Sequence, residues 1–186
     1  MDLTFIEPSF LGRDLAFGFR TRYLTTNFDD AAYRTKIVSL RPSLTFPVSE
    51  NGRLRVYYEL GEEEIYQIDA DASPIIAEDE GAFIKSALGY AYSLDLLRGG
   101  LNPNRGVRLT FEQELAGLGG DTEYIKTVAR TVAERDAFNE EVTLRAIFEA
   151  GVIAGLGDQS VRITDRFFLS SRQLRGFPSR GAGPRA

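Results

Sequence analysis

Cysteine and histidine are both missing from this 186-residue chain. Without cysteine there can be no disulfide, no thiolate metal site and no cysteine nucleophile. Without histidine, a Ser-His-Asp triad, a histidine-rich zinc site and a histidine general base cannot be built, so most hydrolase templates fall at this step. Long apolar runs are lacking as well. Nothing approaches the roughly 20 consecutive apolar residues that a spanning helix requires, which excludes a helical membrane topology. Positive charge is in deficit. A net charge of -5 argues against a nucleic-acid partner, which would need a basic face to neutralise phosphates.

What is present is 43% hydrophobic content, enough to support a core, and 26% charged residues. The mean hydropathy of -0.19 resembles that of an ordinary soluble protein. A transmembrane β-barrel hides its apolar residues in alternate positions and reaches the same average, so the order of the residues matters more than the mean.

That order alternates with period two through most of the chain, the signature of half-buried strands. A first strand ends at Glu7-Pro8 and is followed by a tight connection at Leu11 to Asp14. From Leu15, Phe17, Phe19 and Tyr23 oppose Gly18, Arg20 and Arg22, up to a turn at Asn27 to Asp30. Val38, Leu40, Leu44 and Phe46 form the next apolar face, with imperfect parity near Ser39 that suggests a bulge. Ser49-Glu50-Asn51-Gly52 is hairpin chemistry between two alternating runs. Leu54, Val56, Tyr58 and Leu60 then oppose Arg53, Arg55, Tyr57 and Glu59, ahead of an acidic stretch from Asp69 to Glu80 that reads as a solvated loop. It lacks the spaced ligands and central glycine of an EF-hand, and no metal is assigned to it.

Further along, Ile84, Leu88, Tyr90, Tyr92 and Leu94 oppose Lys85, Ala87, Gly89 and Ser93, and the two tyrosines suit an interfacial girdle. After turn chemistry at Leu101 to Gly106, Val107, Leu109, Phe111 and Leu115 oppose Arg108, Thr110, Glu112 and Glu114. Thr122 to Glu134 has a composition that also suits a helix, but turns bracket it at the spacing of its neighbours, so it is assigned as a strand. Val142, Leu144, Ala146, Phe148 and Val152 oppose Thr143, Arg145 and Glu149 in the last run, which ends at Gly155 to Asp158. The expected fold is all-β, an antiparallel meander of about eight strands forming part of a transmembrane barrel over residues 1–157. Residues 158–186 follow as a long loop. Charges on the polar parity, among them Arg20, Arg22, Arg55, Arg108 and Arg145, read as a wetted and mutually paired interior.

The regular pattern stops at the terminal segment. Asp165-Arg166-Phe167-Phe168 is followed by a small-residue spacer, then Leu174-Arg175-Gly176-Phe177 and Gly183-Pro184-Arg185. These residues resemble the long extracellular loop of the BamA family of outer-membrane proteins. Gly117-Leu118-Gly119-Gly120-Asp121 with Tyr124-Ile125-Lys126-Thr127 is similar to BamA sequences of the alphaproteobacterial kind. The spacer departs from the family, with Ser170-Ser171 where a Gly-Gly pair is usual. The resemblance implies that residues 158–186 fold into a barrel lumen, with Arg175 held against acidic and aromatic groups of the inner wall. Gly176 would permit a special backbone conformation, and Phe177 would anchor its ring.

It further implies residence in the bacterial outer membrane. Its partners would be the outer-membrane lipid bilayer, unfolded β-barrel clients and assembly-machinery lipoproteins, with no cofactor and no catalytic residue. In this family the seam between first and last barrel strands weakens, so that an incoming strand pairs with an exposed edge. The amino-terminal residues, Met1 to Glu7, have neither a basic region nor an apolar leader. The chain is therefore expected to be a piece whose leader and amino-terminal domains lie elsewhere.

Three other readings are open. One is a TamA-like factor or a two-partner secretion transporter of the same superfamily. Another is a soluble lipocalin-like barrel, since alternation does not say which face is inside. The last is an enzyme built on Glu112 and Glu114, a carboxylate pair of the kind glycosidases use, but set on one strand with no evident cleft.

Overall fold

A computed structural model describes residues 1–26, 33–69, 72, 74–97, 106–137, 141–157 and 160–167. Eight strands follow one another: β1 (Asp2–Glu7), β2 (Ala16–Thr26), β3 (Arg34–Pro47), β4 (Gly52–Tyr66), β5 (Gly81–Asp95), β6 (Gly106–Ala116), β7 (Tyr124–Ala137) and β8 (Val142–Gly155). A short helix, α1 (Pro74–Glu78), lies in the acidic connection between β4 and β5. The strands form one open antiparallel sheet in sequence order, the eight-stranded meander that the alternation implies. No described helix is long and apolar enough to cross a membrane, which says nothing of strands.

The strand over Tyr124–Ala137 resolves the helix-compatible stretch. Its neighbours impose the choice, because β6 and β8 both present unpaired backbone groups that only an extended chain can satisfy. The expected hairpin at Ser49–Gly52 forms, with the Val48 N–H donating to the Gly52 carbonyl at 2.9 Å. The bulge expected near Ser39 does not. Leu40 pairs with Leu60 and Ser43 with Tyr57 on a single register. Parity looked broken because Arg34 and Lys36 occupy the apolar face at the end of β3, beyond the apolar band, where Lys36 lies 3.6 Å from Glu64. The β3·β4 ladder lapses at Arg41 and Pro42, where proline offers no N–H.

Asp136 and Ala137 pair with Thr143 and Val142 at the end of the β7·β8 ladder. The Gly117–Asp121 connection folds back on β5: Asp121 N–H donates to the Ile84 carbonyl and Ile84 N–H donates to the Asp121 carboxylate, both at 2.7 Å. Gly120 permits this approach, because a Cβ there would stand 2.5 Å from the Ile84 carbonyl oxygen.

The two faces of the sheet are inverted relative to a soluble protein. Outward lie Val38, Leu40, Leu44, Tyr58, Leu60, Ile84, Leu88, Leu109 and Phe148, all exposed. The buried residues belong mainly to the opposite, polar face. They include Tyr57 at 2%, Glu59, Lys85 and Glu114 at under 10%, and a small apolar row of Ala87, Ala116 and Tyr124. β3, β4 and β5, of 14 to 15 residues each, exceed at about 3.3 Å per residue the ~30 Å of a bilayer's hydrocarbon. The outward Tyr58 hydroxyl is not left bare: it lies 2.7 Å from the Ser86 hydroxyl, which in turn donates to the Leu118 carbonyl.

Candidate functional site

Parity places Tyr57 and Glu59 of β4, Lys85 of β5, Glu112 and Glu114 of β6, and Tyr124 and Lys126 of β7 on one wall. Register then brings them together. Tyr57 stands opposite Gly89, where a Cβ would meet its ring at 2.3 Å, so the ring lies flat across β5 and its hydroxyl reaches β6. There it faces two carboxylates, Glu112 at 2.7 Å and Glu114 at 2.9 Å, and its single proton serves one of them at a time. Glu114 also accepts from the Tyr124 hydroxyl at 2.7 Å and lies 3.1 Å from the Lys85 ammonium. Arg41 of β3 pairs with Glu59 and stacks 4.5 Å from the centre of the Tyr57 ring. Five strands, β3 to β7, thus share one network in which each charge has a counter-charge.

The segment following β8 docks on this wall. Asp165 is 4% exposed. Its carboxylate lies 3.8 Å from Lys85, and its backbone carbonyl accepts from the Lys126 ammonium at 3.0 Å. Burial pushes the Asp165 carboxyl above its ordinary range, against the opposing pull of Lys85 and of Tyr124. The Phe167 ring rests against Gly151 of β8, where a Cβ would come within 2.6 Å of it, and Lys126 lies 4.8 Å over its face. Upstream, Arg162 is buried against the end of the β4–β5 connection. It lies 3.5 Å over the Phe83 ring and donates to the Asp79 carbonyl at 3.1 Å. Burial pushes its guanidinium below the usual value, with Asp79, Glu63, Asp165 and Asp121 around it opposing that shift; an arginine so placed stays charged.

Of the residues expected in the loop motif, Asp165 is brought onto the wall, Phe167 covers Gly151 and Arg166 is exposed, its Nε donating to the Val161 carbonyl at 2.9 Å. Phe168, Leu174, Arg175, Gly176, Phe177, Gly183, Pro184 and Arg185 lie outside the described residues. The second motif converges on the same place, since Tyr124 and Lys126 both reach the docked segment's surroundings. The expected paired interior is present: Arg108 pairs with Asp95 at 2.7 Å, Arg145 with Glu134 at 3.1 Å, and Arg20 and Arg22 with Asp2. Two things escaped the sequence reading. Arg162 was missed, although an arginine three residues before the motif's aspartate is visible, and the acidic connection proved not to be wholly solvated, because Asp79 receives it.

The Omp85 superfamily domain model matches residues 1–186. The outer membrane protein assembly factor BamA of Nitratidesulfovibrio vulgaris is 30% identical over 98% of this chain and 23% of its own length. That of Neorickettsia risticii is 29% identical over 82% of this chain and 20% of its own. The human sorting and assembly machinery component 50 homolog is 27% identical over 99% of this chain and 39% of its own. Among solved structures, BamA from Haemophilus ducreyi lacking POTRA domains 1–3 superposes with a TM-score of 0.81 over 98% of this chain and 38% of that one, at 16% identity, a likeness of fold. The chain thus spans between 20% and 39% of the length of these relatives.

Proposed function

The chain belongs to the Omp85 superfamily, and from that membership we propose that it forms part of the barrel of a BamA-type assembly factor, which folds and inserts β-barrel proteins into the bacterial outer membrane. The observation that carries this reading is the inverted sheet. Its apolar band faces outward and exposed, while Glu59, Lys85 and Glu114 are buried on the opposite, charged face, an arrangement suited to lipid outside and a wetted lumen inside. A soluble lipocalin-like barrel needs the opposite, with the apolar face enclosed. The relatives named as assembly factors favour this role over a secretion transporter.

On this reading residues 158–186 form the lumenal loop, and the wall around Lys85 and Glu114 is where its first residues dock. The role is that of a scaffold and not of a catalyst, working without a cofactor on unfolded β-barrel clients in the outer-membrane bilayer, beside the lipoproteins of the machinery. In lipid an unpaired backbone group costs several kcal/mol, so an exposed strand edge offers an incoming strand the hydrogen bonds that the bilayer withholds.

The wall reading is tested with single cysteines, which the natural chain lacks. In proteoliposomes a lipid-soluble thiol reagent should label cysteine at Phe17, Leu44 and Phe111, and a water-soluble one should label cysteine at Gly18, Arg55 and Glu112. Burial of the first set in a protein that stays soluble without lipid would overturn it. The assembly role is tested with the full-length protein in liposomes. It should accelerate folding of a test outer-membrane barrel, and equal rates with and without it would sink the role while leaving the wall intact.

A further inference from the structure

We propose that Arg162 is a positioning residue that fixes where the segment after β8 enters the polar face, with Asp79 and Phe83 as its receptor. They come from two distant parts of the chain, Asp79 and Phe83 lying together at the start of β5 and Arg162 83 residues after Asp79. Asp79 follows α1 directly, and its N–H donates to the Ile76 carbonyl at 3.2 Å, which holds it at the helix end. It meets the segment three times. Its carbonyl accepts from Arg162 Nη2 at 3.1 Å, its Oδ2 accepts from the Ile163 N–H at 2.7 Å, and its Oδ1 lies 3.8 Å from Arg162 Nε. Phe83, which pairs across the sheet with Glu63, supplies the floor under the guanidinium.

Burial groups this pair with those of Lys85 and sets it apart from the exposed ion pairs of the sheet. The Arg162 and Asp79 side chains are 8% and 13% exposed, whereas those of Arg145 and Glu134 are 55% and 19% exposed. An exposed pair contributes little, but a buried one whose partner is removed leaves an uncompensated charge. Among the described residues Arg162 Nε and Nη1 make no hydrogen bond, so ring stacking, one donated bond and the nearby carboxylates hold the side chain. A planar guanidinium does all of this, whereas a lysine keeps the charge without the planar face. The β4–β5 connection and the docked segment are therefore energetically coupled. With Phe167 seated on Gly151, the segment is pinned at both ends, and Arg162 sets its depth at the upstream end.

This inference rests on the lumen reading above, and the test separates the two. The probe is Thr164→Cys in the full-length protein in liposomes, with a water-soluble thiol reagent as label and a Leu44→Cys sample with a lipid-soluble reagent alongside. Arg162→Ala should raise labelling at Thr164→Cys at least about tenfold, as expected for loss of a buried charge's seat. Asp79→Asn should act in the same direction, and the double variant should do no more than the stronger single, since both break one lock. Arg162→Lys, with the charge but not the planar face, should recover part of the protection. Unchanged labelling in Arg162→Ala, additive effects, or no recovery with lysine would each overturn the proposal. If Arg162→Ala does not fold, Asp79→Cys with Ile163→Cys should be joined by a short bis-thiol reagent, and failure to join overturns it as well. Leu44→Cys reports the lipid-facing wall by itself, so loss of that signal counts against the wall and not against Arg162.

Discussion

The two faces of this sheet are made of different material and held by different forces. Outward, Leu40, Leu60, Leu88 and Phe148 are 43%, 44%, 48% and 67% exposed, and few contacts within the chain cover them. Inward, Tyr57, Lys85, Glu114 and Tyr124 are nearly enclosed and tied to one another across four strands. The outward face takes its stability from whatever solvent surrounds it, and the inward face takes its stability from internal pairing. A single residue therefore matters differently on each side: transfer into lipid decides outside, and completeness of the network decides inside.

The sharpest way to break that contrast is from the inside. Glu114→Ala removes the nearest partner of Lys85 and an acceptor of two tyrosine hydroxyls at once, and should cost about 3 kcal/mol, since the buried Lys85 keeps only its longer contacts to Asp165 at 3.8 Å and Glu59 at 3.9 Å. Urea unfolding in liposomes followed by tyrosine fluorescence checks it, and a cost indistinguishable from that of a surface substitution would mean that the network is wet. Next in size is a matched pair of lysines. Leu88→Lys, on the outward face, should cost ~2–4 kcal/mol in a bilayer. Val128→Lys, inward and paired across the sheet with Glu112, should cost under about 1 kcal/mol by the same unfolding measurement. Equal costs would erase the distinction between the faces.

The smallest expected effect concerns pH. Burial raises the Asp165 carboxyl relative to an exposed one, so the docked segment holds a proton more readily than the undocked segment does. Its contribution to docking is fully present below the ordinary carboxylate range and is lost as pH rises through the docked value. Thiol labelling at Thr164→Cys, normalised to an exposed reference cysteine, should increase across that rise. Asp165→Asn should flatten the slope, and a slope that survives it would assign the proton elsewhere.

Much of this was legible in the sequence because strand parity is a local property. Thr122 to Glu134 could be assigned as a strand from its bracketing turns alone, and Arg20, Arg55, Arg108 and Glu112 could be set on one face by counting. Arg34 and Lys36 misled the same count, because parity carries no information about where along a strand the apolar band ends. The inward glutamates were visible as residues, yet as a sequence-adjacent pair they suggested acid–base chemistry. Their actual partners, Tyr57, Lys85 and Tyr124, come from three other strands.

The order of residues by itself determined the alternation, the hairpin at Asn51-Gly52, the eight-strand meander and the family-like motif, each read from consecutive residues of the chain. Only the tertiary structure decided which face is enclosed, that Glu114 gathers Tyr57, Lys85 and Tyr124, and that Asp79 receives Arg162. Those outcomes depend on register summed across several strands and on a segment folding back over them, and contacts such as Tyr57 with Glu114 and Asp79 with Ile163, 57 and 84 residues apart, leave no periodic trace in the chain that makes them.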